Sequence, residues 1–153
     1  MLERLSRKTF RNTALTLASV MSRYPHAAVA LTDSLAERIR EILPAGEFEV
    51  EARSGIVNIH GIGRYRGCSS ASMPLVLLEL PGDVTEKLIS IFMGEGEVVQ
   101  EFLTDVRGEP WPTLGAEPHV CVTYDTVQLW WGGPTEGEAV VKLRPISRKE
   151  LGL

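Results

Sequence analysis

Glu47-Phe48-Glu49-Val50-Glu51-Ala52-Arg53 is the stretch that decides the fold. Apolar and charged residues alternate strictly, the period of a half-buried β-strand. Phe48, Val50 and Ala52 point to one face, while Glu47, Glu49 and Glu51 point to water. Ser54-Gly55 supplies a tight turn, and residues 56–60 return as the partner strand. Immediately upstream the spacing is helical. A chain that changes period in this way belongs to the α+β class.

Upstream, Leu35, Ile39, Ile42 and Leu43 recur at helical spacing, and Pro44 stops the helix. Its expected start is Thr32 or Asp33, with Ser34 and Glu37 as a capping box. Further upstream, Phe10, Ala14, Leu17, Met21 and Tyr24 make one apolar stripe of an earlier helix, closed by Pro25. Residues 1–31 are therefore expected to be a basic amphipathic helix and linker, and residues 32–153 a single α+β domain. Ser6-Arg7-Lys8-Thr9-Phe10 approaches a twin-arginine export motif, and Ala28-Val29-Ala30 a cleavage site. Arg23, Pro25 and His26 leave no clean apolar region between them, so a helix and a cytoplasmic location are expected.

Downstream, Gly61 to Ser70 is rich in residues that break regular structure. Residues 73–80 are nearly all apolar, as in a strand buried on both faces. Asp83 with Glu86 caps the next helix, whose apolar face is Val84, Leu88, Ile91 and Phe92. Gly94 and Gly96 weaken it. Val99, Phe102, Leu103 and Val106 continue it, either as one helix or as two. Glu109-Pro110-Trp111-Pro112 starts a loop. Residues 119–124 and 127–131 then read as a hairpin, residues 139–143 as a last strand, and residues 147–151 as a short helix.

These elements predict an antiparallel sheet of about six strands, in two three-strand runs that bracket a central helix, with the N-terminal helices packed on one face. Without the first helix, the order α-β-β-β-α-β-β-β-α over residues 32–151 resembles the fold of type III secretion chaperones and of YbjN-type proteins. That resemblance implies a small adaptor that binds another polypeptide, often as a homodimer.

Composition narrows the functional classes. The chain has 153 residues, 44% of them hydrophobic and 24% charged, which suits one globular domain. Cys68 and Cys121 are too few for a disulfide framework, and they read as free thiols. Residues 1–24 carry a net charge of +4 and the remainder −8. An acidic body disfavours nucleic acid as its partner, while the basic arm stays available as a contact element. No apolar run approaches the ~20 residues of a membrane span.

The sequence offers few catalytic signals. Gly61, Gly63 and Gly67 give G-x-G-x-x-x-G, but no helix opens after them, as a phosphate cradle requires. Ser69 and Ser70 lack the strand-to-helix turn of an activated serine. Cys68 beside Arg64 and Arg66 would be reactive only if those charges lie close. His60, Cys68, His119 and Cys121 would suit zinc if the chain brings them together.

Interaction signals are stronger. Trp130 and Trp131 are adjacent in a strand and so point to opposite faces. One of them, in a cluster with Trp111, is a candidate exposed anchor for a partner; the alternative is that helices cover one face and the Pro-rich loop the other. Arg4, Arg7, Lys8 and Arg11 make the first helix a second candidate surface. The sequence therefore reads as a non-catalytic protein-binding module: an adaptor, secretion-type chaperone or inhibitor, with another protein as partner and no cofactor. One alternative is a small-ligand- or metal-dependent enzyme using the Gly61–Ser70 loop. Another is a regulator that touches nucleic acid through its basic helix.

Overall fold

The computed structural model describes residues 25–74 and 82–153. The fold is α+β: among the described residues there are two helices and two antiparallel sheets of three and four strands, with the second helix between the strand runs. The expected stripe from Phe10 to Tyr24 lies outside the described residues, as do residues 75–80 of the expected apolar strand.

Helix α1 covers Pro25–Ile42. It runs straight through Thr32 and Ser34, so the expected capping box does not start a helix there. The reason is packing: Ala27, Leu31, Leu35 and Ile39, each four residues apart, form one unbroken buried face. Pro25 is the first residue of the described helix, and the helix it was expected to close lies outside the described residues. Ser34 is buried in mid-helix.

Strands β1 (Phe48–Arg53) and β2 (Ile56–Gly61) form the expected hairpin. Ser54 and Gly55 have φ of 52° and 76°, the left-handed pair that suits a two-residue hairpin turn. Phe48 and Val50 are buried, while Glu49 and Glu51 are exposed. Phe48 stacks on Tyr65 at 5.1 Å and meets the Phe102 edge at 5.8 Å. After a short 3-10 turn (Gly63–Tyr65), Gly61 N donates to Cys68 O at 2.8 Å. That bond brings the chain back beside β2 early. Strand β3 is therefore Ser69–Ser72, partly inside the stretch expected to be irregular. Met73 is 57% exposed.

Helix α2 (Val84–Arg107) is continuous through Gly94 and Gly96. Asp83 Oδ1 accepts from Glu86 N at 3.0 Å, the expected cap. Gly108, at φ 72°, ends the helix with its N–H on Thr104 O. Leu88, Ile91, Phe92, Val99 and Leu103 form its buried face, each side chain contributing about 1.5–3 kcal/mol. The helix survives Gly96 because the sheet needs that glycine. A Cβ there would lie 2.8 Å from Pro118 Cβ and 3.0 Å from a Leu129 methyl. Backbone therefore lies directly on sheet.

The second sheet has order β4-β5-β6, with β7 also paired to β5. Its strands are β4 (Glu117–Val122), β5 (Thr126–Gly132), β6 (Ala139–Lys142) and β7 (Ile146–Ser147). The turn between β4 and β5 falls on Tyr124-Asp125, closed by Thr123 N to Thr126 O at 2.8 Å. The expected C-terminal helix is instead β7 and a turn. Ile146 pairs with Val127, and Arg148 N donates to Asp125 O at 2.9 Å. Ladder bonds to β5 thus capture the backbone that a helix would have used. Among the described residues the strands form two sheets rather than one continuous sheet.

Candidate polypeptide-binding edge

All three tryptophans are buried, at 9% (Trp111), 6% (Trp130) and 0% (Trp131) exposure. None is an exposed anchor. Trp131 lies under α2, its Nε1 donating to Gly96 O at 3.0 Å, and meets Trp111 edge-on at 5.0 Å. Trp111 is held by α2: its N donates to Thr104 Oγ1, and its carbonyl accepts from Gln100 Nε2 at 3.0 Å. Trp130 faces the other side of the sheet. The chain after Gly132 turns back over it: Trp130 Nε1 donates to Gly133 O at 3.0 Å, and His119 stacks on its ring. Strand alternation placed the two indoles on opposite faces, but alternation says nothing about a returning loop. Arg4, Arg7, Lys8 and Arg11 lie outside the described residues.

The residues considered for metal do not converge. His60 and Cys68 belong to the first sheet and its loop, and His119 and Cys121 to the second. Among the described residues no three His, Cys, Asp or Glu side chains are grouped to hold a metal ion. Cys121 is exposed on the outer face of β4 rather than in the core. The glycine loop leads through a 3-10 turn into β3, with no helix N-terminus to face phosphate.

The register makes one row that the sequence hid. Glu49, His60 and Ser69 are direct cross-strand neighbours on β1, β2 and β3. A carboxylate, an imidazole and a hydroxyl in that order suggest a hydrolytic triad. All three are exposed, and no side-chain hydrogen bond links them. The row therefore lacks the nucleophile–base contact that the chemistry requires.

A cleft of about 430 Å³ lies between the end of α1 and the second sheet, lined by Glu41, Gln128, Glu136, Lys142 and Arg144 among others. Its charges are already satisfied. Arg144 Nη2 is 2.8 Å from Glu41 Oε1, and Lys142 Nζ is 3.3 Å from Glu136 Oε1. The Arg144 hydrogen bond outweighs slight burial and holds the Glu41 carboxyl below its usual range. A ligand here would have to break ion pairs.

The strand edges differ more sharply. An antiparallel edge strand sends every second N–H and C=O outward, and such edges are normally covered. Arg40 Nη2 donates to the outward Val50 O of β1 at 2.6 Å. Arg38, fully buried, donates to Arg144 O at 2.9 Å and Pro145 O at 3.2 Å between β6 and β7. β6 itself is short, and the β5–β6 register shifts at Trp131/Gly132, a bulge that spoils an edge. β3 has four residues.

β4 is different. The Thr123–Thr126 bond and the Leu143 N to Leu129 O bond at 2.9 Å fix the ladder phase. His119 and Cys121 bond to β5, so Val120 and Val122 turn N–H and C=O outward. Among the described residues no arginine covers them. Pro118 contributes only a carbonyl. β4 is thus the longest uncapped edge among the described residues, with exposed Cys121 and the half-exposed Tyr124 of the hairpin tip beside it. Composition and periodicity could not reveal it, because an edge exists only once strand order is known.

Among the described residues no helix is long and apolar enough to cross a membrane. Compared with known protein families, curated proteins and solved structures, the chain finds no match in any of the three.

Proposed function

We propose that the protein is a non-catalytic polypeptide-binding module that takes an extended segment of another protein along β4. The observation that carries this reading is the contrast between edges. Arginines from α1 occupy β1 and the β6–β7 junction, while Val120 and Val122 keep outward donors and acceptors. Added strands gain affinity from main-chain hydrogen bonds and specificity from alternate side chains. Over residues 32–143 the order α-β-β-β-α-β-β-β resembles that of type III secretion chaperones, although strand β7 stands where that pattern has its last helix.

The test uses proline, which removes an outward N–H without touching the ladder. Native mass spectrometry of the gently purified wild-type protein should show a bound polypeptide. Val120→Pro and Val122→Pro should lose it while keeping the wild-type circular dichroism spectrum. Retention in both variants, or a bare wild-type monomer, overturns the reading. A homodimer that survives both substitutions overturns it as well.

A further inference from the structure

We infer that Glu95 of α2 and Ser72 of β3 form a protonation-gated joint between the central helix and the first sheet. Glu95 is 2% exposed, and its Oε1 has no hydrogen-bond partner. Ser72 Oγ is likewise buried; it makes no well-formed hydrogen bond, yet it lies near enough to Glu95 to favour the ionised carboxylate. The two groups belong to different elements in direct contact. A buried carboxylate with an unpartnered oxygen is expensive, so closure of the joint favours the neutral form.

No charged side chain among the described residues relieves that cost. On α2 the residues three and four positions away are Ile91, Phe92, Val98 and Val99. At the adjoining Gly96, β4 and β5 contribute Pro118, Leu129 and Trp131. β3 contributes the Ser72 hydroxyl. Glu79 falls outside the described residues. Burial raises the Glu95 carboxyl to about 7 from an ordinary 4.5, and only the Ser72 hydroxyl pulls the other way.

The local backbone favours opening. Glu95 sits between Gly94 and Gly96, each costing about 1 kcal/mol of helix propensity relative to alanine. The Gly96 carbonyl also receives the Trp131 indole N–H at 3.0 Å. One helix turn is therefore anchored to the second sheet and weakly held to the first. When Glu95 ionises, hydration of its carboxylate requires α2 and β3 to separate there.

Native-state amide exchange in β3 and in α2 around Glu95, corrected for intrinsic pH dependence, tests the joint. With a closed-state value of about 7 and an open-state value of 4.5, local opening should rise roughly 70-fold between pH 5 and pH 8. Glu95→Gln should abolish the rise, and Glu97→Gln, an exposed carboxylate two positions on, should leave it intact. Ser72→Ala should move the midpoint upward, because the hydroxyl that favours the charged form is gone. This arm decides the matter even if Glu95→Gln folds poorly. A flat wild-type profile, an unchanged rise in Glu95→Gln, or an unmoved midpoint in Ser72→Ala overturns the inference.

Discussion

Arg38 and Arg40 stand two positions apart on α1 and close the edges of different sheets. Arg38 Nε reaches Arg144 O at 2.9 Å, and Arg40 Nη2 reaches Val50 O at 2.6 Å. Residues at i and i+2 leave a helix on nearly opposite sides, so α1 lies between the two edges. Arg38 also pairs with Glu150. Removing a buried charge from its partners costs more than losing a neutral hydrogen bond. Arg38→Met should lower stability by about 3 kcal/mol, and Arg40→Met by about 1 kcal/mol. Urea denaturation curves of the two variants check the ranking.

The two glycines of α2 should respond in opposite directions. Nothing lies within 4 Å of a Cβ added at Gly94, whereas one at Gly96 would press on Pro118 at 2.8 Å. Gly94→Ala should stabilise by up to about 1 kcal/mol through helix propensity. Gly96→Ala should destabilise by about 1–3 kcal/mol, because overpacking exceeds that gain. Thermal midpoints should move apart accordingly.

Glu95 sets a global pH dependence with a definite sign. Its folded value, about 7, lies above the ordinary 4.5, so the folded protein holds the proton more tightly. The stabilisation is fully present below 4.5, falls as pH rises toward 7, and is gone above it. At 1.36 kcal/mol per pH unit, the loss is about 3 kcal/mol. Glu95→Gln should remove this slope in denaturant titrations from pH 5 to pH 8.

Glu150 acts with the opposite sign. Burial pushes its carboxyl up, but Ser34, Arg38 and Arg144 together hold it below the usual range. Its contribution is present above the ordinary carboxylate value and is lost as pH falls through the lowered one. Glu150→Gln should therefore flatten the acid limb of the stability curve and leave the neutral limb unchanged.

Much of the fold was legible because local pattern and tertiary need agreed. The alternation of residues 47–53, the Ser54-Gly55 turn and the Asp83 cap all appear where expected. The misreadings arose where a distant partner decided. Ser34 has the chemistry of a cap, yet the buried face from Ala27 to Ile39 carries the helix past it. Residues 147–151 have a helical composition, yet β5 captures their first residue and Arg148 bonds to the hairpin tip. The tryptophans illustrate the same limit at the candidate site. Strand period gave their faces, but a returning loop and α2 determined their burial. Open edges and buried carboxyls depend on strand order and packing, which no single-sequence pattern encodes.

The contact between α1 and the C-terminal turn has a mechanical consequence. Glu150 pairs with Arg38, Leu151 is buried, and Gly152 sits against His26. Residues 25–42 and 148–153 are thus held side by side, so that this part of the chain closes like a buckled strap. Tension applied between those segments would load the Arg38–Glu150 pair. Because Ile146 and Ser147 pair with β5, a pull that passed this buckle would reach the second sheet directly.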